Sequence, residues 1–481
     1  MKHMLGRFTL RRSERVQVSY LKSPISAAAL LSLILPITAP AATPYRLMTL
    51  DPGHFHAALV QKDMYPEVDP TVFVFAPAGL DLDEHMKRID RFNTRTNNPT
   101  RWETRHYTGP DFADQLFKAP PGNLLVLSGN NAKKTDYILR AVQNGLHVLA
   151  DKPMAITPED FGKLQRAFTV AEKQNVLLYD IMTERFEITT ALQRELSRDR
   201  GLFGDLIKGH AGDPAITKES VHHFAKLVAG APLKRPAWFF DTRQQGEGIV
   251  DVTTHLVDLV QWEAYPEVTL DPSDAVVVAA KRWATAITPA QFAQVTGLTE
   301  FPDYLKADVG PDGALQVYAN GSFDYTLRGT YARVSVTWNF EAPMGAKDTH
   351  YSMMRGTQAN LIIKQGAEQQ YKPTLYVESV GPNPPAMFES RLRAALEKVK
   401  VQYPGLDLRQ EAGAWVVTVP PELEVGHEAH FAQVTANYLR YLKAGKLPEW
   451  EVPNMITKYA TIMQAYRMSR PAAVKPTAAT P

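Results

Sequence analysis

A carboxylate and an imidazole lie four residues apart in residues 246–258, which read GEGIVDVTTHLVD. The apolar residues predict an amphipathic helix that begins just after a glycine-containing turn, so Asp251 and His255 would share one face. A carboxylate one turn away can orient an imidazole, tune its pKa and set its tautomer, which suits proton transfer near neutral pH. Taken alone, the pair is also compatible with an ordinary first-turn aspartate and a half-buried core histidine.

A second segment, residues 123–155, carries the pattern of a strand–helix–strand unit. Residues 124–127 predict a buried strand, 128–131 a turn, the following residues a helix that ends at Gly145, and 147–150 a second strand. Short connections of this kind indicate a parallel sheet. Lys152 would then lie just past the C-terminal end of a strand, which is the edge at which open α/β sheets bind ligands.

Together, the two segments resemble the two most recognisable motifs of the Gfo/Idh/MocA family (glucose-fructose oxidoreductase, inositol dehydrogenase, rhizopine catabolism). Those motifs are Glu-Lys-Pro after a Rossmann strand and Gly-Gly-x-x-x-Asp-x-Gly-x-His-x-x-Asp in the second domain. This chain has Asp151-Lys152-Pro153 for the first and residues 246–258 for the second, with the Asp-to-His-to-Asp spacing intact, about 100 residues apart. The resemblance implies an α/β fold: an N-terminal Rossmann-type parallel sheet, then an α+β domain with a large, mostly antiparallel open sheet.

The resemblance also implies catalytic roles for three residues. Lys152 would polarise the C–O bond of a substrate hydroxyl, His255 would relay the alcohol proton, and Asp251 would orient His255 while hydride passes to a nicotinamide. Asp151 and Pro153 would flank Lys152 in the cofactor site. A surface lysine beside a proline is the alternative interpretation of Lys152.

The first predicted strand, residues 45–50, leads into Asp51-Pro52-Gly53-His54-Phe55-His56. A Rossmann fold carries Gly-x-Gly-x-x-Gly at this turn, because backbone amides and a helix N-terminus must approach the pyrophosphate closely. Only Gly53 survives here, since Asp51 replaces the first glycine and His56 the last. Residues Gly53, His54, Phe55 and His56 are predicted to bind the cofactor by fold analogy, and an ionised Asp51 would repel a pyrophosphate unless it turned away.

The choice between NAD and NADP stays open, with NAD favoured. The strand at 71–75 is followed by no acidic residue until Asp81, although such a residue usually binds the ribose hydroxyls of NAD. The resemblance places Ser128, Asn130 and Asn131 against the nicotinamide ribose. Asn130 or Asn131 would equally serve as a helix N-cap.

Three residues are predicted to bind substrate. Arg185, at the crossover between the domains, would bind cofactor or substrate oxygen atoms, or else form a salt bridge with Glu184 or Glu187. His223 and Trp238 would line a sugar pocket, because aromatic rings stack on the apolar face of a sugar while its hydroxyls need polar partners. Core packing explains the aromatic run at 238–240 equally well. No metal site is predicted, either at His222-His223 or at His427 and His430.

The second domain has strand-like alternation from residue 275 to 380. Val334, Val336, Trp338 and Phe340 alternate with polar residues, and Asn320-Gly321 predicts a hairpin turn. Residues 385–425 are predicted to form an αβ insert, which the resemblance marks as an addition to the basic family fold. The resemblance also implies that a final helix returns to the Rossmann domain.

The domain organisation follows from these patterns. Residues 1–42 have basic residues, an apolar stretch from 25 to 37 and Ala-Pro-Ala at 39–41, which predicts a cleavable signal peptide and an exported protein, periplasmic or extracellular. The predicted Rossmann domain spans 43–180, the α+β substrate domain 181–470 and a disordered tail 471–481. An uncleaved membrane anchor is the alternative for the first segment.

Composition excludes several classes of protein. The 481-residue chain has no cysteine, so disulfides, thiol nucleophiles and thiolate metal sites are absent. A net charge of +2 favours neither nucleic acid nor a membrane surface as partner. The sequence therefore predicts an exported nicotinamide-dependent oxidoreductase with a tightly bound cofactor and a carbohydrate or polyol substrate, with a homo-oligomer through the open sheet as a further expectation. Glycoside cleavage by transient oxidation and elimination, or non-catalytic sugar binding, are the alternatives.

Overall fold

The computed structural model describes residues 44–228, 231–381 and 384–470. The predicted signal peptide and the predicted C-terminal tail lie outside these residues. Within the described part of the chain, no helix is both long and apolar enough to cross a membrane.

Six parallel strands and their connecting helices form the first sheet. In chain order the elements are β1 (Leu47–Leu50), α1 (His56–Leu59), β2 (Thr71–Phe75), α2 (Leu80–Thr94), β3 (Glu103–Tyr107), α3 (Phe112–Lys118), β4 (Leu124–Leu127), α4 (Asn131–Gln143), β5 (His147–Asp151), α5 (Pro158–Gln174) and β6 (Leu178–Ile181). The strands lie in the order β3-β2-β1-β4-β5-β6, and all neighbours are parallel. This is the strand order of a Rossmann fold, which the family resemblance implies, and its direction reverses between β1 and β4.

The burial of each strand explains whether it could be predicted from the sequence. Every residue of β1 and β4 is buried, because helices cover both faces of a parallel sheet. By contrast, the edge strand β3 is mostly exposed and polar, so residues 80–115 showed only the solvated helix α2 and a loop. Strand β3 and helix α3 were therefore missed.

The second half of the chain contains a nine-stranded sheet with helices on it. Its elements are a 3-10 helix (Thr183–Phe186), α6 (Ile188–Arg198), β7 (Gly209–His210), β8 (Asp213–Pro214), β9 (Ile216–Ala225), β10 (Leu227–Val228), β11 (Ala231–Pro232), a 3-10 helix (Ala237–Phe240), α7 (Thr242–Gln245), α8 (Thr253–Ala264), a 3-10 helix (Pro272–Asp274), β12 (Ala275–Ile287), α9 (Pro289–Thr296), a 3-10 helix (Asp303–Asp308), β13 (Leu315–Leu327), β14 (Thr330–Glu341), β15 (Thr349–Arg355), β16 (Ala359–Gln365), a 3-10 helix (Ala367–Gln369), β17 (Thr374–Ser379), α10 (Pro385–Lys400), β18 (Asp407–Glu411), β19 (Ala414–Thr418), α11 (His427–Ala444) and α12 (Glu451–Met468).

The large sheet has the order β12-β13-β14-β9-β15-β16-β17-β19-β18. Its neighbours are antiparallel except for β14 and β9, which are parallel. The mostly antiparallel sheet is thus confirmed. The predicted insert contributes α10 and the hairpin β18–β19, which pairs with β17 and extends one edge of the sheet.

The predicted hairpin turn at Asn320-Gly321 is wrong, because both residues lie inside β13. The chain reverses instead at Arg328-Gly329, where both residues have positive φ. A glycine is needed at 321 for a different reason: a Cβ there would lie 2.7 Å from the Cα of Ile249. The second motif therefore crosses directly over this strand.

The last two helices join the two sheets. Tyr438 of α11 donates a hydrogen bond to the carbonyl oxygens of Val148 and Leu177, and Tyr459 of α12 donates one to Asp180. Buried apolar residues of both halves form one continuous core. The C-terminal helix thus packs on the Rossmann sheet as the sequence predicts.

Candidate active site

Two adjoining cavities, of about 580 and 630 Å³, lie where the C-terminal edge of the first sheet faces the second domain. This size is typical of a small-molecule site. The residues that line both cavities are Glu184, His222, Lys226, Val252, His255, Gly426 and His427. The larger cavity is also lined by Lys152 and Asp251, so the two sequence motifs meet in one place.

Lys152 and Asp251 form an ion pair across this larger cavity, with 2.7 Å between Lys152 Nζ and Asp251 Oδ1. Burial lowers the pKa of Lys152, but Asp251 and the carboxylates of Asp151 and Glu184 together raise it above its ordinary value. The lysine is therefore a protonated donor, suited to polarising an oxygen atom rather than accepting a proton.

The expected pairing of Asp251 with His255 is wrong. Helix α8 begins at Thr253, so Asp251 belongs to the preceding turn, and its second oxygen accepts a hydrogen bond from Gln245. His255 Nδ1 is buried and has no hydrogen-bond partner among the described residues. Burial, aided by Lys152, lowers the pKa of His255 to about 3, so the imidazole is neutral.

Two glycines place the second motif. A Cβ at Gly248 would lie 1.8 Å from the carbonyl oxygen of Ala319, and a Cβ at Gly321 would meet Ile249. The backbone of this turn is therefore in direct contact with the backbone of β13 where the two cross. Because Asp251 lies only three residues beyond Gly248, this contact between the turn and β13 also fixes the position of Asp251.

The turn after β1 keeps a Rossmann-like backbone with only one of the usual glycines, Gly53. Asp51 has φ +52°, a conformation that glycine usually supplies, and a Cβ at Gly129 would lie 2.0 Å from the Asp51 carbonyl oxygen. His54 N donates to Ser128 O, so the turns after β1 and β4 are in contact. Burial raises the pKa of Asp51, and the nearby Lys133 opposes that shift.

Trp238 and Asp81 lie against this turn. Trp238 Nε1 donates to Asp81 Oδ2 at 3.1 Å, and both side chains would be 3.0 Å from a Cβ at Gly53. Trp238 is thus a neighbour of the glycine turn and is not among the described residues that line the two cavities, contrary to the predicted sugar wall. Asp81 supplies the acidic group that the end of β2 lacks. Together these turns fit a dinucleotide, with Asp81 as the candidate for its ribose hydroxyls.

The polar residues after β4 link the two domains. Asn130 caps α4 by accepting from Ala132 N, and it donates to Gln244 Oε1. Asn131 Nδ2 donates to the carbonyl oxygen of Gln245. The N-cap interpretation of Asn130 is therefore correct, and both amides hold the helix α7 that precedes the second motif.

His54, His56 and Asp151 form a compact cluster at the edge of the larger cavity. His56 Nδ1 lies 2.9 Å and His54 Nδ1 3.8 Å from Asp151 Oδ2, which also accepts a hydrogen bond from Ser128 Oγ at 2.8 Å. Phe55 lies between the two histidines in sequence and packs against both rings. The carbonyl oxygens of Asp151 and Pro153 both accept from buried Lys134.

Arg185 does not reach the cavities. Its guanidinium binds both oxygens of Asp258 at 2.6 and 2.8 Å and Glu451 at 2.8 Å, and these carboxylates hold its pKa well above the ordinary value. The predicted salt bridge with Glu184 or Glu187 is wrong, since Glu184 lies beside His427 and Glu187 caps α6. Arg185 holds the crossover segment to α8 and α12.

The cavity histidine of β9 is His222 and not the predicted His223. Successive residues of a strand point to opposite faces. His222 lines both cavities and stacks on Trp338, whereas buried His223 is absent from the cavity lining and bonds Asp348 at 2.9 Å.

Several cavity residues were not predicted as site residues, because they come from distant segments. They are Glu184, His222, Lys226, Arg235, Asp348, His350 and His427. A signal existed for His427, which begins a helix with a second histidine three residues on, but its proximity to Glu184 has no sequence signature.

Two family models match the chain. The one described as "Oxidoreductase family, NAD-binding Rossmann fold" matches residues 82–180, and the one described as "Putative oxidoreductase C terminal domain" matches residues 192–470. The crystal structure of a "putative oxidoreductase" from Parabacteroides merdae ATCC 43184 is 52% identical, with a TM-score of 0.87, over 89% of this chain and 98% of that chain. The chain belongs to the Gfo/Idh/MocA oxidoreductase family. Like the family, it has an NAD(P)-binding Rossmann domain.

Other solved structures, at 13–15% identity, share the fold alone. KijD10, a 3-ketoreductase from Actinomadura kijaniata in complex with NADP and TDP-benzene, is 15% identical with a TM-score of 0.53, over 89% of this chain and 98% of its own. A biliverdin reductase from Synechocystis sp. PCC 6803, in complex with biliverdin and NADP+, is 13% identical with a TM-score of 0.53, over 89% and 99%. No curated protein sequence matches the chain.

Proposed function

We propose that this oxidoreductase transfers hydride between a bound nicotinamide cofactor and a CH–OH group of a sugar or polyol. The observation that carries the proposal is that Lys152 from the first domain and His255 from the second line one cavity beside the C-terminal edge of the Rossmann sheet. A cation and a neutral imidazole around one space are the groups that a hydroxyl needs in order to lose its proton.

The residues act on the substrate oxygen. Lys152, kept charged by Asp251, donates a hydrogen bond to that oxygen and stabilises the negative charge that develops there. Neutral His255 accepts the hydroxyl proton, and its Nδ1 has no hydrogen-bond partner in the part of the chain that the structure describes. When bound, the nicotinamide supplies the hydride acceptor or donor. Gly53, Asp81, Ser128 and Asn130 are the candidates to hold the dinucleotide, with NAD favoured because Asp81 is acidic.

A second candidate function is glycoside cleavage by transient oxidation, elimination and reduction. It is favoured by Glu184 and His427, whose Oε1 and Nδ1 atoms lie 3.5 Å apart where the two cavities adjoin. The oxidation of an alcohol requires only one acid–base group. Elimination also requires removal of a proton from the carbon beside the carbonyl and protonation of the leaving group, and a second acid–base pair could carry out these two steps.

The experiment is to denature the purified protein, identify any released dinucleotide by mass spectrometry, and assay sugars and polyols with added NAD or NADP. Substrate-dependent absorbance at 340 nm supports oxidoreduction. Net release of an aglycone without added NAD supports cleavage. Binding of sugar without either reaction, and without a dinucleotide, would reject both proposals in favour of a non-catalytic sugar-binding protein.

We also propose that the protein is exported and assembles as a homo-oligomer. Export is supported by the basic, apolar and Ala-Pro-Ala segments within residues 1–42. Assembly is supported by exposed Val276 and Val278 on the edge strand β12. Mass spectrometry of the N-terminus in the producing cell and light scattering of the purified protein test the two proposals.

A further inference from the structure

We propose that His54, His56 and Asp151 bind a divalent transition-metal ion at the edge of the larger cavity. The sequence analysis predicted no metal, because it compared only histidines that were close in sequence. Asp151 lies 95 residues beyond His56 and is brought to it by the parallel pairing of β1, β4 and β5.

The distances within the cluster match a shared ion. One ligand atom from each residue lies within 4.8 Å of the others, and the two imidazole Nδ1 atoms lie 2.9 and 3.8 Å from the same carboxylate oxygen. Ligand atoms that share a zinc ion at about 2.0–2.2 Å lie roughly 3–3.5 Å apart. The separations of 2.9 and 3.8 Å lie close to this range.

The surroundings of the cluster support a bound ion. Asp151 is 4% exposed, and its carboxylate is oriented by Ser128 Oγ in the way that outer hydrogen bonds orient metal ligands. Two imidazoles and a carboxylate without cysteine are a donor set for zinc, iron(II) or similar ions. An ordinary histidine–aspartate hydrogen bond needs only one imidazole beside Asp151. Two imidazoles lie beside it here, which is the arrangement that a metal site with these three ligands requires.

The local charge also accommodates an ion. The neighbouring cations are Lys134 and Lys152, and both ammonium groups are held by oxygen atoms of Asn131 and Asp251. Four carboxylates act on these two cations: Asp151, Asp180, Asp251 and Glu184. Asp180 is paired with Lys458, and the other three outnumber the two cations by one. A divalent ion therefore leaves only a small net positive charge.

The position of the cluster indicates which kind of molecule would complete the coordination of the ion. His54 and His56 line the cavity, whereas Asp151 lies beneath it, so the open positions of a four- to six-coordinate ion face the cavity. Such positions take an oxygen donor from a bound small molecule. This site does not rest on the proposed reaction, because ion binding is measured without substrate or turnover.

The test is equilibrium dialysis of the untagged full chain against Zn²⁺, with metal analysis, and titration with Co²⁺ followed by visible absorption. We expect one ion per chain, and a loss of affinity of at least about 100-fold in His54→Gln and in Asp151→Asn. The matched control is His106→Gln, an exposed histidine of β3, which should bind normally. Thermal unfolding of each variant establishes that it is folded.

A measurement on the unmodified chain covers the case in which the variants do not fold. Zn²⁺ should slow the modification of half-buried His54 by diethyl pyrocarbonate and leave exposed His106 unaffected. The proposal is overturned if the unmodified chain binds no stoichiometric Zn²⁺, if His54→Gln and Asp151→Asn bind it normally, or if Zn²⁺ gives His54 no protection.

Discussion

At the scale of single residues, the candidate site depends on which partner each charged group takes. Asp251 binds the lysine of the other domain and leaves the histidine one helical turn away without an orienting carboxylate. Spacing along a helix predicts only neighbours within that element, and Lys152 is 99 residues distant. The sequence could therefore identify the residues Lys152, Asp251 and His255 but not their pairing.

His255→Ala is expected to abolish the proton transfer while leaving the dinucleotide bound. We expect kcat to fall by about 10²–10⁴-fold, the usual contribution of a positioned acid–base group. Steady-state kinetics and the dinucleotide content of the denatured variant measure the two effects. His106→Ala, on the exposed edge strand, is the control. Unchanged kcat in His255→Ala would remove this residue from the mechanism.

His85 predicts a pH dependence of stability that is separate from the site. It is 3% exposed with both ring nitrogens unpartnered among the described residues, and burial lowers its pKa to about 4. In the unfolded chain His85 has an ordinary pKa of about 6.5, so between pH 6.5 and about pH 4 the unfolded chain binds a proton that the folded chain does not. As the pH is lowered through this range, the free energy of unfolding therefore decreases by up to about 1.4 kcal/mol per pH unit.

The variant His85→Leu removes this contribution. Its unfolding free energy, from urea titrations at several pH values, should fall less steeply than that of the unmodified protein between pH 6.5 and 4. Parallel pH curves for the two proteins would show that His85 is protonated in the folded state.

At the scale of elements, a strand crossing positions the chemistry. Gly248→Ala would place a methyl group 1.8 Å from the Ala319 carbonyl oxygen, so the turn must move away from β13 and take Asp251 with it. We expect a loss of about 1–3 kcal/mol in unfolding free energy, together with lower kcat.

Gly162→Ala is the matched control, because its Cβ would meet only the end of the Arg166 side chain, in the helix α5. There the substitution should stabilise the protein slightly, by up to about 1 kcal/mol. Chemical denaturation and kinetics of both variants make the comparison, and equal behaviour of the two would contradict a tight crossing at Gly248.

Elements with buried, periodic apolar residues could be predicted from the sequence, and exposed ones could not. Strands β2 and β4 were predicted at the residues where they occur. Strand β3 is polar because only one of its edges is paired and both of its faces are largely open to water. Gly321 was misread because glycine serves both for turns and for close backbone contact, and only the packing of Ile249 separates these uses.

At the scale of the whole molecule, a buried ion network joins the two domains to the last helix. Lys458 Nζ of α12 lies 3.0 Å from Asp180 Oδ2 of β6 and 2.9 Å from Asp258 Oδ1 of α8. Asp258 also holds Arg185, so the final aspartate of the second motif is structural. The sequence predicted that this helix would reach the Rossmann sheet, but not that charges would hold it there.

Lys458→Met should destabilise the protein by about 3–5 kcal/mol, because it leaves the buried carboxylate of Asp180 without a cation and removes one of the two cations that Asp258 binds. Urea unfolding followed by tryptophan fluorescence measures the loss, and separate unfolding of the two halves is the expected sign of uncoupling. Lys443→Met, at an exposed position of α11, is the control and should be close to neutral. A loss as small as that of the control would show that apolar packing alone joins the domains.

The position of Lys458 in α12, far along the chain from its partners, also bears on when the fold can close. Asp180 emerges from the ribosome long before Lys458, whereas Asp258 has Arg185 as an earlier partner. A nascent chain that still lacks α12 therefore carries one carboxylate, that of Asp180, whose burial is costly. Such a chain is expected to stay loosely assembled until α12 has been made, and that delay leaves time for chaperones to engage it first.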